Sequence, residues 1–243
     1  MDTRRKVVGI LGGMGPEATG DLFLKIVRAT PASCDQEHLR VIVDSIPQIP
    51  DRTAAILGQG QDPGPILEAA ARRLESWGAE LLVIPCNTAH YYHGRVAAAV
   101  SIPVLNIMDE TALAIRRNHP AVTHVGVLAS TGTLNTGLYL NALARHGLTE
   151  VKPSPAMQAK VMQAIYGVKA GEHAVPKTLL IEAVADLAAL GAQAVVAGCT
   201  EVPIALAPDD IAIPYVDATL ALAEGTVRAA FSDSADKVKG VDA

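Results

Sequence analysis

Leu81-Leu82-Val83-Ile84-Pro85-Cys86-Asn87-Thr88 and Ala194-Val195-Val196-Ala197-Gly198-Cys199-Thr200-Glu201 are two versions of one phrase. Each is a short aliphatic run that ends in a cysteine and then turns polar. A continuous apolar run bounded by Gly or Pro reads as a strand buried on both faces, the kind found in parallel sheets. Each cysteine then stands at the carboxyl end of a strand, where open α/β sheets bind their ligands. Upstream of each run is a helix with the same apolar face. Ile66, Leu67, Ala70, Ala71, Leu74 and Trp77 return 113 residues later as Leu179, Leu180, Ala183, Val184, Leu187 and Leu190. The same interval carries Gly78-Ala79 onto Gly191-Ala192 and Cys86 onto Cys199.

Working outward, Val8-Gly9-Ile10-Leu11 matches Val125-Gly126-Val127-Leu128 at an interval of 117, which implies a four-residue insertion in one copy. Further strands are expected at Lys6–Leu11, Arg40–Ser45, Val104–Ile107, His124–Leu128 and Ile213–Val216. Helical patterns fall near 16–29, 64–77, 89–99, 109–118, 135–146, 156–166, 175–190 and 218–231. Strands alternating with helices predict an α/β fold with mainly parallel sheets. The repeat predicts two pseudo-symmetric domains with the active site in the cleft between them. The expected boundaries are 1–103 plus 217–231 for the first domain and 104–216 for the second, with a loose polar tail over 232–243.

The chain has 243 residues, half of them hydrophobic and only 3% aromatic, so its core is aliphatic. A net charge of −5 without long runs gives no footprint for nucleic acid or an anionic membrane. No apolar stretch reaches transmembrane length, and Met1-Asp2-Thr3-Arg4-Arg5-Lys6 does not read as a signal peptide. The expected compartment is the cytoplasm. Cys34, Cys86 and Cys199 form no C-x-x-C pair, and in a reducing compartment they are free thiols.

A thiol entering a helix N-terminus meets unpaired N–H groups and the positive end of the macrodipole, which favour the thiolate. Asn87, Thr88 and Thr200 supply polar caps at the two cysteine turns. Cys34 lies in the polar stretch Pro31–His38 and reads as a bystander. Cys86, His90 and His93, at i, i+4 and i+7, have the spacing of a zinc site. The turn at Cys199 has no matching histidines, so the reading without metal is preferred.

The first strand opens into Gly12-Gly13-Met14-Gly15-Pro16-Glu17-Ala18. Gly13, Gly15 and Ala18 satisfy G-x-G-x-x-A, and Asp44 ends the next strand as a ribose ligand would. That makes a nucleotide-dependent oxidoreductase one alternative. Against it, Asp44 lies 31 residues beyond Gly13, and Glu17 places negative charge where pyrophosphate would bind. Otherwise the glycines bring the backbone close to a small anionic ligand and offer it N–H groups.

Gly9-Ile10-Leu11-Gly12-Gly13-Met14-Gly15-Pro16-Glu17-Ala18-Thr19, Pro85-Cys86-Asn87-Thr88-Ala89-His90 and Gly198-Cys199-Thr200-Glu201 together resemble the aspartate/glutamate racemase family, most closely its aspartate branch. The resemblance spans roughly residues 6–230. It implies two α/β domains, a homodimer, and racemisation of a small acidic amino acid with no pyridoxal phosphate, metal or nucleotide. It makes Cys86 and Cys199 the catalytic bases, because racemisation requires a proton to leave one face of the α-carbon and return to the other. Pro47-Gln48-Ile49-Pro50-Asp51-Arg52-Thr53 and Ile165-Tyr166-Gly167-Val168-Lys169-Ala170-Gly171 resemble the segments that hold substrate carboxylates, through Arg52 and Lys169. The remaining expected substrate contacts are Asn87, Thr88, Thr131, Thr200, Glu201, Gly13 and Met14. Glutamate racemases usually carry histidine where this chain has Glu201, which favours aspartate as the substrate. A glutamate or broad-specificity racemase, a dicarboxylate isomerase or decarboxylase, and a binding protein without chemistry are the other readings. Activity on this account survives dialysis against a chelator; loss restored by zinc would instead favour the Cys86, His90, His93 reading.

Overall fold

A computed structural model describes residues 5–232. The expected tail lies outside them except for Ser232. The described strands are β1 Val8–Gly12, β2 Val41–Ser45, β3 Leu81–Val83, β4 His124–Leu128, β5 Thr149–Val151, β6 Ala194–Ala197 and β7 Tyr215–Asp217. In the first half the helices are α1 Pro16–Ala29, α2 Arg52–Ile56, α3 Gly64–Ser76 and α4 His93–Ala98. Then follow α5 Ile107–Asn118, α6 Thr131–Asn135, α7 Leu138–Arg145, α8 Pro155–Lys169, α9 Ala174–Ala189, α10 Val202–Ala205 and α11 Ala218–Phe231. None is long and apolar enough to cross a membrane among the described residues.

Two parallel sheets result, of order β2-β1-β3 and β5-β4-β6-β7. Their registers repeat as the sequence does. Ile10 faces Val83 in the first sheet, and Val127 faces Val196 in the second. Those partners are related by the intervals of 117 and 113. On α3 and α9 the same four positions are buried: Leu67, Ala70, Ala71 and Leu74, then Leu180, Ala183, Val184 and Leu187. At the outer ends of both faces, Trp77 and Leu190 are exposed.

The match extends to backbone approach. A Cβ on Gly9 would lie 2.9 Å from that of Ala79 and 3.5 Å from that of Leu74. One on Gly126 would lie 3.1 Å from those of Ala192 and Leu187. An added Cβ would collide with Ala79 and Leu82 at Gly9 and press on Leu187 and Ala192 at Gly126, so both central strands are closely packed where glycine stands. The outer faces bury separate clusters under α3 and under α8 and α9. The inner faces share one aliphatic core, in which Val8, Ile10, Val127 and Val196 join residues of α5, α7 and α11. The last helix returns to the first half: it packs on α1, and Lys6 N–H donates to Ala230 O at 3.1 Å.

The strand expected at Val104–Ile107 is reduced to a single parallel bridge between Val104 and Leu82. Asn106 ends it by capping α5, its side chain accepting the Met108 N–H at 2.9 Å. The corresponding place in the second sheet holds β7. The helix expected over 135–146 divides into α6 and α7 around Gly137, whose φ is +67°. Short β5, α2 and α10 carry too few residues for any periodicity to mark them.

Gly9→Ala and Gly126→Ala are each expected to destabilise the fold by about 1–3 kcal/mol through overpacking. Urea denaturation checks this: both midpoints fall, whereas Gly20→Ala, on α1 where an added Cβ meets nothing within 4 Å, lowers neither stability nor midpoint.

Candidate active site

β3 and β6 deliver their cysteines to one place. Cys86 and Cys199, both buried, line a single cavity of about 30 Å³ between the carboxyl ends of the two sheets. Cys34 is exposed and lies elsewhere. Contacts between the halves close the cavity. Thr88 Oγ1 lies 2.8 Å from Ser130 Oγ and 2.9 Å from Thr133 Oγ1, and Thr200 donates to the Pro85 carbonyl at 3.4 Å. Tyr139 OH donates to Asn87 Oδ1 at 2.7 Å, leaving the buried Asn87 Nδ2 without a partner.

The immediate neighbours of the two thiols differ. Beside Cys86 is Arg52, the first residue of α2. Its guanidinium donates to the carbonyls of Pro50 at 3.1 Å, Ile49 at 3.3 Å and Met14 at 3.4 Å. Burial pulls its pKa down, but the charge of a Cys86 thiolate and a hydrogen bond to it, with Asp51 and Glu201, hold it above the ordinary value. Beside Cys199 is Glu201, whose Oε2 accepts the Cys199 S–H at 2.9 Å. Its Oε1 pairs with Lys169 at the end of α8. Burial pulls Lys169 down as well; the charges of Glu201 and a Cys199 thiolate outweigh it and keep the ammonium firmly protonated.

The expectation that helix termini acidify the thiols fails at Cys199. Burial, followed by the Glu201 carboxylate, pushes its pKa well up. The helix beyond, α10, has four residues and an anionic N-cap, so little dipole reaches the sulfur. Cys86 leads into a 3-10 turn over Thr88–Tyr92 rather than an α-helix.

Of the expected contacts, Arg52, Lys169, Asn87, Thr88, Thr200, Glu201 and Met14 line the cavity with the two cysteines. Thr131 does not. Its N–H goes to Met162 Sδ at 3.2 Å, and its hydroxyl accepts from Gln158 at 3.2 Å. Its neighbour Ser130, which caps α6, lines the cavity instead. Gly13 borders an adjoining outer chamber. Its N–H is already donated to Thr19 Oγ1 at 2.8 Å, so the glycine loop offers no free N–H at that residue. With φ at +94° and Ile46 N only 2.3 Å from an added Cβ, Gly13 serves the turn itself.

Asp51, Met162, Ile165 and Tyr166 are lining residues that reading the sequence did not assign. Met162, Ile165, Tyr166 and Lys169 follow i, i+3, i+4, i+7 on α8, a face that could have been read outward from Lys169.

Asp44, the residue offered for a nucleotide ribose, is ion-paired with Arg73 of α3, whose Nε donates to it at 2.8 Å. His90 is committed too. Its Nε2 accepts the Ile107 N–H at 3.1 Å, so Nδ1 donates to the Cys86 carbonyl at 2.9 Å and neither nitrogen is free for a metal. His93 Nε2 contacts the Val104 carbonyl at 3.0 Å. His90 thereby pins the Cys86 turn to the start of α5.

The sequence profile of the Asp/Glu/hydantoin racemase family matches residues 11–226. The chain belongs to that family. Among relatives of this racemase, the broad specificity amino-acid racemase RacX of Bacillus subtilis is 29% identical over 225 residues, covering 91% of this chain and 96% of that one. The structure of Picrophilus torridus aspartate racemase superimposes with a TM-score of 0.83 at 29% identity, over 93% of this chain and 94% of that one. A glutamate racemase from Francisella tularensis, at 17% identity and a TM-score of 0.67 over 96% and 83% of the two chains, shares the fold.

Burial lowers the His90 pKa from 6.5 to about 4, so the racemase holds this imidazole neutral. The folded value lies below the unfolded one. The stabilisation is therefore complete above pH 6.5 and is lost as pH falls through about 4, a swing of roughly 3 kcal/mol. Melting temperatures between pH 7 and pH 4 check this, and the His90→Gln variant is expected to show a flatter decline.

Proposed function

We propose that this racemase interconverts L- and D-amino acids, aspartate among them, by proton transfer between the α-carbon and the two thiols Cys86 and Cys199. The observation that carries this reading is the presence of both sulfurs on one small cavity, one beside a cation and the other donating to a carboxylate. Two-base racemisation starts with one thiolate and one thiol. Cys86, beside the Arg52 guanidinium, is assigned as the base, and Cys199, whose S–H donates to Glu201, as the proton donor. The Cys86 thiolate takes the α-proton and becomes a thiol. Cys199 gives its proton to the opposite face and becomes a thiolate. The other enantiomer runs the same steps in reverse.

Between the two transfers the electron pair of the broken C–H bond spreads into the α-carboxylate. Donors aimed at that group stabilise the transition state more than the ground state. Asn87 Nδ2 is one such donor, held by Tyr139; Arg52 is another, and its planar fork suits a carboxylate. Chemistry on this plan uses no cofactor.

The aspartate assignment rests on Arg52 and Lys169 as a pair of carboxylate anchors. Because Lys169 is already paired with Glu201, a β-carboxylate competes for that cation. Aspartate is thus one substrate within a broader range, and glutamate, one methylene longer, is a poorer one. Domains of 1–103 plus 217–231 and 104–216, a homodimeric assembly and a cytoplasmic location, where thiols stay reduced, complete the proposal.

Cys86→Ala and Cys199→Ala are each expected to abolish racemisation, a loss of at least a thousandfold, with circular dichroism unchanged. Cys34→Ala retains parental activity. Chiral chromatography of aspartate and alanine reaction mixtures checks all three; parental racemisation by either cavity variant would refute the two-thiol mechanism.

A further inference from the structure

The cavity between the sulfurs, at about 30 Å³, holds the α-carbon and its immediate substituents but no extended side chain. It adjoins an outer chamber of about 340 Å³, more than ten times larger. Met14, Asp51, Arg52, Lys169 and Glu201 border both spaces and form the wall between them. A substrate side chain directed past these five residues from an α-carbon at the sulfurs would enter the larger chamber.

The chemistry of that space is distinctive. Its apolar wall comes from Pro16, Pro47, Ile49, Val168 and Ile204. Its charged lining consists of two cations, Arg52 and Lys169, and three carboxylates, Glu17, Asp51 and Glu201. Lys169 is paired with Glu201, and Arg52 also borders the inner cavity, where the α-carboxylate belongs. A carboxylate entering the chamber would find Lys169 already paired with Glu201 and Arg52 engaged by the α-carboxylate, and would face Glu17 and Asp51. An uncharged chain would bury apolar surface there at no electrostatic cost.

Building on the racemase reading, we propose that the outer chamber is the side-chain subsite and that it takes uncharged, unbranched side chains longer than that of aspartate, such as that of methionine. The Lys169–Glu201 pair sets this preference by neutralising the cation that would otherwise attract a second carboxylate. Substrate range is then a property of the chamber, separate from the thiol chemistry.

Two measurements on the full chain test this: α-deuteration of L-alanine, L-methionine and L-aspartate in D₂O, and calorimetric affinity for the same amino acids. The wild-type protein is expected to process methionine more efficiently than aspartate. Ile204→Trp, which fills the chamber, is expected to lower kcat/KM for methionine at least tenfold relative to alanine. Val168→Phe provides the same test from α8 should the first variant not fold. An equal loss for alanine and methionine would make the chamber a mere passage and overturn the proposal. So would an unchanged ratio, a preference for aspartate, or the absence of both exchange and binding. Methionine binding that Ile204→Trp weakens tenfold, with no exchange on any substrate, would uphold the subsite while overturning the racemase reading.

Discussion

Parallel pairing of β3 with β1 and of β6 with β4 is the constraint on which the rest of the molecule depends. It places both cysteine turns at the carboxyl ends of their sheets, the ends at which open α/β sheets bind ligands. The pairing is held by close contact rather than by side-chain bulk. Gly9 lets β1 lie close to Ala79 and Leu82, and Gly126 lets β4 lie close to Leu187 and Ala192, beneath the helices that cover the outer faces. The inner faces merge into one core, and beyond it the two cysteine turns meet at the cavity through polar contacts such as that of Thr200 with the Pro85 carbonyl.

On that symmetric frame the chemistry is asymmetric. At an interval of 113, Asn87 corresponds to Thr200 and Thr88 to Glu201. Glu201 accepts from the thiol of its own half, whereas Arg52 faces the thiol of the other turn with positive charge. A buried thiol in aliphatic surroundings stays protonated unless a cation compensates it. One sulfur beside a guanidinium and one hydrogen-bonded to a carboxylate form an unlike pair, which two identical turns would not provide. Glu201 is also the partner of Lys169, so one carboxylate both accepts from the Cys199 thiol and pairs with the lysine.

The repeat was legible because burial of a helix face and an obligatory glycine leave the same imprint in both halves. Both central strands, both covering helices and the juxtaposition of Cys86 with Cys199 followed from it. β5, α2 and α10 left no periodic trace, and Val104–Ile107 read as a strand because the cap at Asn106 is a single residue. The site was less legible than the fold. Arg52 and Lys169 carry no local signal that separates them from solvated surface charges, and only the resemblance singled them out. Thr131 is expected from the sequence, whereas Ser130 lines the cavity, because sequence does not reveal which hydroxyl faces inward. The electrostatic setting of Cys199 was misjudged for a related reason. Reading a helix terminus from the chain predicts a favourable dipole, but the short α10 and its anionic cap are three-dimensional facts.

The claim at the centre of this account is that two different groups serve opposite faces of one carbon. Early-time analysis of a single enantiomer in D₂O tests it most directly. With two bases, the product enantiomer carries solvent deuterium at the α-carbon while the unreacted starting enantiomer remains protonated. Deuterium appearing equally in recovered starting enantiomer and product would mean that one group serves both faces, and would contradict the assignment of Cys86 and Cys199 as paired bases.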